Sequence, residues 1–403
     1  MINAPVAAAD RIETLDVLRG FAILGILVLN IQSFAMPGAA YTNPLAYGDL
    51  QGANFVVWYA SQLFFDMKFN TIFATLYGAG IALLTMRSAD LRASRERFLH
   101  RSFWLFLIGM AHAYLLWYGD ILVNYAITGV LVMGARNWHA KTLLYVGLAL
   151  LLVSLAVTTA MGYSLPYWSE AERLDVANYW SPSAAEMQAE IDGYLGSLGA
   201  QFETRLPATI MMQTQGYLLL FLWRTTGLML IGMALIKSGF LAGKLSNRLY
   251  ALCMLPGLFI ALPLIAWGIS RNLAADFNYE YSMFHGMLPN HAGSFMLSLC
   301  YISGLILLCK AGQARALLGS FAAIGRTALS CYLLQTIICT SLFYGFGLGW
   351  FGDVERTGQA MIVLAVWVSL VVFARLWLLW FRIGPFEWVW RSLTYRSLQP
   401  LLR

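Results

Sequence analysis

Long apolar runs recur along the whole chain, and short polar segments that hold most of the charged residues separate them. Most runs are long enough to cross a hydrocarbon layer about 30 Å thick as a helix that rises ~1.5 Å per residue. No alternation of apolar and polar positions, of the kind that predicts strands, interrupts them. The pattern therefore predicts an all-α polytopic membrane helix bundle with about ten transmembrane helices. The runs are residues 15–36, 71–86, 103–118, 121–135, 142–161, 208–236, 249–270, 291–310, 326–346 and 358–381.

Basic residues give each run a direction, because Lys and Arg are retained on the cytoplasmic side of the membrane. About 18 of the 26 Lys and Arg residues fall in segments that this scheme places in the cytoplasm, and about four fall in external segments. The scheme predicts that both termini are cytoplasmic. It also predicts an external acidic loop at about residues 162–207, which contains seven acidic residues and only two basic ones, Arg173 and Arg205.

The composition favours the same class of protein and excludes others. Hydrophobic residues make up 60% of the chain and charged residues only 11%, whereas soluble domains carry about 25% charged residues. We therefore expect residues 1–403 to form a single integral membrane domain. The net charge of +6 lies in short loops, which favours contacts with anionic lipid headgroups rather than with nucleic acid. The five cysteines lie in apolar runs without metal-ligand spacing and are expected to be inert.

A predicted helical hairpin over residues 97–136 carries the residues with the clearest chemical potential. Ionisable groups inside a membrane are costly, so they are functional candidates. We predict catalytic roles for His112 near mid-membrane, Asp120 at the corner and Asn124 one turn further on. On a straight helix Asp120 lies about 12 Å from His112 and about 80° around the axis, so their side chains are not expected to touch. Asn124 is expected to hold the Asp120 carboxylate directly or through water.

A structural role is the alternative for this hairpin. His112 would then only bond a neighbouring helix, and Asp120 would only cap the helix that begins at Ile121. Under the catalytic hypothesis, Asp120 orients or activates an acceptor at the outer mouth, and His112 handles a proton deeper inside.

Two further groups of polar residues lie at opposite ends of the predicted bundle. The outer group, predicted to bind the substrate, is Asn30, Asp66, Lys68 and Arg224. The inner group, predicted to bind the donor, is Arg19, Arg326 and Arg375. The forked guanidinium groups of the inner arginines suit the pyrophosphate of coenzyme A. The alternative for the inner group is three separate anchors to lipid headgroups, and the alternative for Asp66 and Lys68 is an ion pair exposed at the rim. His285 and His291 have no third ligand nearby, so no metal site is predicted.

Six ordered motifs give the chain a family resemblance. They are TLDVLRGFAILGILVLNI, FATLYGAG, GDILVNYAITG, RTTGLMLIGMALIKSGF, IGRTALSCYLLQT and GPFEWVWRSLTY. Together they resemble the YeiB-like bacterial inner-membrane proteins, the domain of unknown function 418, over nearly the whole chain. The resemblance implies a multi-pass protein of the bacterial cell inner (plasma) membrane, and this family brings no established activity.

A more distant resemblance implies a reaction. LDVLRG in the first span and GRTALSCYL near the end are similar to segments of transmembrane acyltransferases such as heparan-alpha-glucosaminide N-acetyltransferase. Those enzymes move an acyl group from a cytoplasmic donor to an acceptor at the far face. They place a catalytic histidine in the outer loop after the first span, whereas residues 32–53 here contain none. His112, or else His285 or His291, would have to replace it.

The second resemblance thus implies a membrane-bound acyltransferase that moves an acyl group from cytoplasmic acyl-coenzyme A to an acceptor at the membrane or outer face. Acyl-coenzyme A would be a substrate, and no tightly bound cofactor is expected. The expected partners are membrane lipids and a small-molecule or lipid acceptor, with the oligomeric state left open and a homodimer as one option. The alternative is a transporter, in which buried polar residues form the path of a small or amphiphilic substrate.

Overall fold

The computed structural model describes residues 12–86 and 90–403, so the first eleven residues of the predicted domain lie outside it. These ranges contain no β-strand, only an isolated antiparallel bridge between Phe381 and Leu402. Helices suit lipid because they satisfy their backbone groups within one segment. The first ten are α1 (Glu13–Ala35), α2 (Ala39–Thr42), α3 (Gly52–Phe64), α4 (Lys68–Met86), α5 (Leu91–Leu115), α6 (Leu122–Met133), α7 (Ala140–Ser164), α8 (Glu170–Trp180), α9 (Ala184–Leu195) and α10 (Leu198–Gln213). The others are α11 (Leu222–Lys237), α12 (Asn247–Pro256), α13 (Leu262–Ala274), α14 (Tyr279–Ser282), α15 (Leu288–Ala311), α16 (Arg315–Arg326), α17 (Ala328–Phe343), α18 (Arg356–Trp380) and α19 (Pro385–Tyr395).

Among the described residues, seven helical segments are long and apolar enough to cross a membrane. They are Glu13–Ala35, Gly52–Met86, Ala140–Tyr167, Leu198–Lys237, Asn247–Ala274, His285–Ala311 and Arg356–Trp380. An eighth results if α16 and α17, a pair bent by 87°, form one broken span. This confirms the predicted all-α membrane protein, whereas the count of ten and the sides of the termini stay predictions. The difference between ten predicted spans and seven or eight observed ones comes from the hairpin of α5 and α6. The first half of α5 is charged, and α6 has only 12 residues.

Helix α1 lies at the centre of the molecule. It contributes to both large hydrophobic cores, one shared with α4, α7, α11 and α15 and the other with α17 and α18. Gly20 allows α16 to approach closely, since a methyl group there would meet the Phe321 carbonyl oxygen at 1.8 Å. Small residues permit such contacts between membrane helices. The buried polar residues of α1, Asp16, Gln32 and Ser33, therefore face protein rather than lipid.

The bend between α16 and α17 is stabilised by α19. The Glu387 carboxylate accepts hydrogen bonds from the backbone N–H groups of Leu329 and Ser330 and from the Ser330 hydroxyl. A helix N-terminus leaves N–H groups unpaired and favours a negative charge. Burial raises the pKa of the Glu387 carboxyl group, while its hydrogen bonds oppose that rise. Because the indole of Trp390 donates to the Arg101 carbonyl oxygen (2.9 Å), α19 joins α5 to α17.

The segment predicted as an acidic loop is largely helical, comprising α8, α9 and the start of α10. The Glu190 carboxylate accepts a hydrogen bond from the Gly38 N–H (3.0 Å), and burial raises the pKa of this carboxyl group. The Arg205 guanidinium donates to the last carbonyl oxygens of α5, at Tyr114 and Leu115. The segment is therefore attached to the end of α5, and its external location stays a prediction.

Candidate functional site

The chain reverses sharply after α5 and brings Asp120 back to His112. The N–H groups of Leu116 and Trp117 both donate to the His112 carbonyl oxygen, which ends the helix. Gly119 is required at the corner, because a methyl group there would lie 2.3 Å from the Trp117 ring. The Asp120 Oδ1 atom lies 2.8 Å from His112 Nδ1. The expectation that these two side chains do not touch is therefore wrong, since it assumed a straight helix and α5 ends at Leu115.

The other ring nitrogen of His112 faces a hydroxyl on α17. His112 Nε2 lies 2.9 Å from Thr336 Oγ1, and both residues are almost completely buried. Thr340, one turn later, makes the usual helical bond from its hydroxyl to the carbonyl oxygen four residues before it. An ionised carboxylate only accepts, so we assign the Nδ1 proton to the bond with Asp120. Nε2 is then the acceptor for the Thr336 hydroxyl.

The second oxygen of Asp120 caps α6. Asp120 Oδ2 accepts the Val123 N–H at 2.8 Å, which is the interaction that the structural alternative required. Helix α6 begins at Leu122, one residue after the predicted start. Asn124, the next residue after Val123, is buried. It was predicted to bond the Asp120 carboxylate, but Asp120 Oδ2 instead accepts the Val123 N–H. Asp120 therefore orients His112 and starts α6 at the same time.

Aromatic rings enclose the imidazole. The Tyr332 ring centre lies 5.1 Å and the Trp117 ring centre 6.3 Å from that of His112. The Tyr332 hydroxyl accepts the Ile121 N–H at 3.4 Å, which adds a second contact between α17 and the corner. Hydrogen bonds are stronger in such a dry environment than in water. The arrangement has the order of a carboxylate, an imidazole and a hydroxyl, which is the order of an orienting group, a base and a nucleophile.

The outer polar group forms a second buried network around the break between α3 and α4. Met67 occupies this break with a φ of 63°, a conformation that L-residues rarely adopt. Lys68 is fully buried, and its ammonium donates to the Gln62 carbonyl oxygen (2.8 Å) and to Asn290 Oδ1 (2.6 Å). The Asn290 amide donates in turn to Asp66 Oδ2 (2.6 Å). Asn290 therefore links the predicted pair of Asp66 and Lys68.

Arg224 extends this network across three helices. Its guanidinium donates to the hydroxyls of Thr71 and Ser294, each at 2.8 Å, and to the His291 carbonyl oxygen at 3.2 Å. It also interacts electrostatically with Asp66. The His291 imidazole bonds the Ser154 hydroxyl at 3.1 Å. Two cations and one carboxylate are thus held together by fixed polar groups, as buried charges require.

A small polar cavity lies beside this network. It has a volume of about 10 Å³, room for about one water molecule, and its polar lining residues are Asn30, Tyr41, Asp66 and Asn70. Burial and the nearby Asp66 carboxylate raise the pKa of the Tyr41 hydroxyl. The four predicted substrate residues therefore lie close together. Asn30 and Asp66 line the cavity, and the charged groups of Lys68 and Arg224 lie near Asp66.

The three arginines predicted to bind the donor have separate local partners. Arg19 bonds Asp16 at 3.1 Å, Arg326 donates to the Arg382 carbonyl oxygen at 3.3 Å, and the exposed Arg375 donates to that of Ala316 at 2.7 Å. A shared pyrophosphate pocket therefore stays a prediction. As for metals, no group of three or more His, Cys, Asp or Glu residues suited to an ion occurs in the described ranges.

Sequence reasoning missed Thr336, Asn290 and Arg205. Thr336 is the last residue of the motif IGRTALSCYLLQT, which indicates the family but no partner for this hydroxyl. Asn290 directly precedes His291, and Arg205 is one of two basic residues in the acidic segment. These positions were visible as unusual polar residues, but their partners lie about 90 to 220 residues away in sequence.

Similar proteins cover nearly the whole chain, and a family model covers its C-terminal part. A family model described as a protein of unknown function (DUF418) matches residues 235–397. The chain is 34% identical to the uncharacterized protein YeiB of Escherichia coli (strain K12), over 98% of both chains. It is 31% identical to the uncharacterized protein YxaH of Bacillus subtilis (strain 168), over 99% of this chain and 98% of that one. An uncharacterized 39.9 kDa protein in the amylase 3′ region of Bacillus acidopullulyticus is 27% identical, with the same coverage.

Proposed function

The chain belongs to the YeiB-like family of DUF418 proteins, and from the geometry at His112 we propose that it is a membrane-bound acyltransferase. It moves an acyl group from cytoplasmic acyl-coenzyme A to an acceptor at the membrane or its outer face. The observation that carries the proposal is the line of hydrogen bonds from Asp120 through His112 to Thr336. A hydroxyl within reach of a base that a third group orients is the signature of an activated nucleophile.

In the first half-reaction the acyl group is transferred to Thr336. His112 Nε2 takes the proton of the Thr336 hydroxyl while the oxygen attacks the thioester carbonyl carbon. The carbon–sulfur bond breaks, and the coenzyme A thiolate leaves with the proton from His112. Asp120 keeps Nδ1 protonated and stabilises the imidazolium that forms in between.

In the second half-reaction the ester on Thr336 is broken by the acceptor. His112 takes a proton from an acceptor hydroxyl or amine, which attacks the ester carbonyl carbon. The carbon–oxygen bond to Thr336 breaks, and the threonine oxygen regains its proton from His112. The cavity lined by Asn30 and Asp66 supplies polar contacts for the acceptor.

The other predicted residues have supporting roles in this proposal. Lys68 and Arg224 stabilise the charge of Asp66, and Asn124 is buried on α6, four residues after Asp120. The donor's pyrophosphate is bound by Arg19, Arg326 and Arg375. The forked N–H groups of arginine suit the oxygens of a pyrophosphate, which supports this assignment.

The test is to detect the acyl group on the protein itself. Purified protein in detergent is mixed with acetyl-coenzyme A, quenched with acid, digested and analysed by mass spectrometry. We expect acetylation of the peptide that contains Thr336, its loss in His112→Ala and Thr336→Val, and its retention in Thr336→Ser. His291→Ala is the matched control, since it removes another buried histidine. Acetylation that persists in Thr336→Val would refute the covalent step.

A transporter is the second candidate, and the broken helices favour it. Transporters bind substrates at interrupted membrane helices. Here α3 and α4 are interrupted at Asp66, and a π-helical turn at Tyr217–Phe221 separates α10 from α11. Proteoliposomes without acyl-coenzyme A separate the two functions. Proton flux that His112→Ala abolishes would favour transport, whereas turnover only with the thioester would favour acyl transfer.

The location that this function needs is the bacterial inner membrane, with cytoplasmic termini and the acidic segment outside. The distribution of basic residues supports it. A reporter fused after Arg92 should be active only in the cytoplasm, and one fused near Ser183 only outside. Equal reporter signals at both positions would contradict this orientation.

A further inference from the structure

A second cavity lies between α1, α3 and α18, and we call it the α1–α3–α18 crevice. It has a volume of about 200 Å³, far larger than the cavity beside Asp66, at about 10 Å³. Most of its wall is apolar, including Val28, Val57, Val363, Leu364 and Trp367. Apolar walls with a few placed polar groups are typical of ligand sites.

One part of the crevice wall is polar and consists of Gln32, Arg356 and Gln359. The exposed fractions of these residues are 4%, 1% and 1%. Among the described residues, no hydrogen-bond partner is found for Gln32 Oε1, Gln359 Oε1 or Arg356 Nε. Buried polar atoms without partners are uncommon, and each one calls for an explanation.

Neighbouring contacts hold two of these side chains in place. The Gln359 amide nitrogen donates to the Val354 carbonyl oxygen at 2.8 Å, which fixes its own oxygen as the unpaired atom. The two terminal nitrogens of Arg356 donate to carbonyl oxygens in the loop before α3, at Asp49 and Pro44. Nη2 also donates to the Tyr47 carbonyl oxygen at 3.2 Å, and the buried Nε–H has no hydrogen-bond partner among the described residues. The polar end thus offers one acceptor, Gln359 Oε1, and one donor, Arg356 Nε–H, in fixed positions, with the Gln32 amide beside them.

The surroundings of the crevice identify the kind of molecule that reaches it. Helices α3 and α18 belong to membrane-crossing segments and carry exposed apolar side chains, such as Val56 and Met361 at 63% and 69% exposure. Such surfaces face lipid chains in a membrane. A crevice between these two helices is therefore reached from the lipid, and its apolar wall suits a hydrocarbon chain.

The unpaired atoms identify the polar group of that molecule. The Gln359 carbonyl oxygen needs one donor, which a single hydroxyl supplies and a phosphate diester or an ionised carboxylate does not. The single Nε–H needs an acceptor, which the same hydroxyl or a nearby ester oxygen supplies. The Glu355 carboxylate, next to Arg356, also disfavours an anionic head. We propose that the α1–α3–α18 crevice binds a membrane lipid with an uncharged, hydroxyl-bearing head, of the diacylglycerol type.

This site is independent of the acyl transfer proposed above. Phe65 lines both the crevice and the cavity beside Asp66, so the lipid head lies next to that polar cavity. The two proposals are nevertheless tested by different measurements. Binding of the lipid does not require Thr336 or His112, and acylation of Thr336 does not require the crevice.

The experiment uses photoactivatable diacylglycerol added to the full-length protein in nanodiscs. After irradiation, cross-linked peptides are identified by mass spectrometry, and we expect them to come from α1, α3 and α18. Ala360→Trp fills the crevice and should reduce cross-linking at least about tenfold, since added volume in a packed site excludes a ligand. Met361→Trp is the matched control on the exposed face and should retain it. Val363→Phe serves as a second blocking variant if Ala360→Trp does not fold.

The head-group specificity is tested with competitors. Unlabelled diacylglycerol should reduce cross-linking, whereas phosphatidic acid with the same chains, tested at a pH where its phosphate is fully ionised, should compete at least about tenfold less well, because its head then has no donor for the Gln359 oxygen. Gln359→Leu should abolish this difference. Equal labelling of Ala360→Trp, Val363→Phe and the wild type, or preferential competition by phosphatidic acid, would overturn the proposal.

Discussion

Two buried polar regions lie near the same end of the bundle, and they differ in how their atoms are paired. In the first, Asp120, His112 and Thr336 form a single line of hydrogen bonds that ends on a hydroxyl. In the second, Lys68 and Arg224 each donate at least two hydrogen bonds to fixed oxygens. The His112 imidazole lies between a carboxylate and a hydroxyl, an order along which a proton can move, whereas the Lys68 and Arg224 donors end on fixed carbonyl, amide and hydroxyl oxygens. The first region is suited to moving a proton and the second to holding charges in place.

The two regions are also neighbours. Tyr125 lies on α6, close to the corner, and its hydroxyl donates to the Asn70 carbonyl oxygen on α4 at 3.3 Å. Its ring also stacks on that of Phe73 on α4, with ring centres 5.8 Å apart. A mutation in either region must therefore be read with a measurement of folding beside the measurement of activity.

The largest effect is expected from His112→Ala. Removing a general base costs roughly 10²- to 10⁴-fold in rate, so acyl transfer to Thr336 should fall by about that factor. Thermal unfolding in detergent should change much less than transfer. His291→Ala, in the second region, should keep the transfer rate within a few-fold of the wild type. Equal rate losses in the two histidine variants would remove the distinction between the regions.

The next effect concerns stability. Arg224→Met leaves the buried Asp66 without one of its cations and removes three hydrogen bonds, so the free energy of unfolding should fall by ~3–5 kcal/mol. Thermal or denaturant unfolding in detergent measures this loss. Arg375→Met is the control, because this exposed arginine makes one bond to a carbonyl oxygen and should cost about 0.5 kcal/mol or less. A stable Arg224→Met variant would show that the second region does not hold the bundle together.

A smaller effect on stability separates the two roles of Asp120. Asp120→Ala removes the cap on α6 and leaves the buried His112 Nδ1–H unpaired, whereas Asn can accept both bonds, so Ala should cost ~1–3 kcal/mol more than Asn. Both variants should lose acyl transfer, because neither keeps a carboxylate on His112 Nδ1. Unfolding curves and the Thr336 acylation assay check the two expectations separately. An active Asp120→Asn variant would mean that Asp120 only caps α6.

The smallest effect is a pH dependence from Glu387. Its pKa is raised by burial, so the folded state holds the proton more tightly than the unfolded state. Its contribution to stability is therefore complete below the ordinary glutamate pKa and is lost as the pH rises through the raised value. Melting temperatures measured across this interval should fall with rising pH in the wild type relative to Glu387→Gln. Hydrogen bonds from Ser183 lower the pKa of the Glu186 carboxyl group, so its contribution to stability is lost as the pH falls. The wild type should therefore lose melting temperature at low pH relative to Glu186→Gln.

The sequence predicted the helical membrane bundle and several members of both polar regions. Apolar runs and costly buried charges are properties of single segments, so His112, Asp120, Asp66 and Arg224 could be found one at a time. Asn30 and Asp66 were also predicted to serve one purpose, and they line one cavity.

The pairing of these residues could not be predicted. The contact between His112 and Asp120 depends on where α5 ends, and helix ends are set by local capping bonds that a straight-helix calculation ignores. Thr336 is 224 residues from His112, so only the packing of α17 against α5 identifies it. The prediction of an acidic loop rests on charge alone. The capping boxes that begin at Ser169 and Ser183 are the sequence signal for the helices that the segment forms.

The attachment of α19 to α17 has a consequence for the order in which the protein is built. The first turn of α17 obtains its carboxylate from Glu387, 58 residues after Leu329. At a synthesis rate of ~5–20 residues per second, the helix carrying Thr336 waits roughly 3–12 s for this cap. We therefore expect the nucleophile to reach its final position beside His112 only when the chain is nearly finished. An incomplete chain released from the ribosome would then insert in the membrane without an active acyl-transfer site.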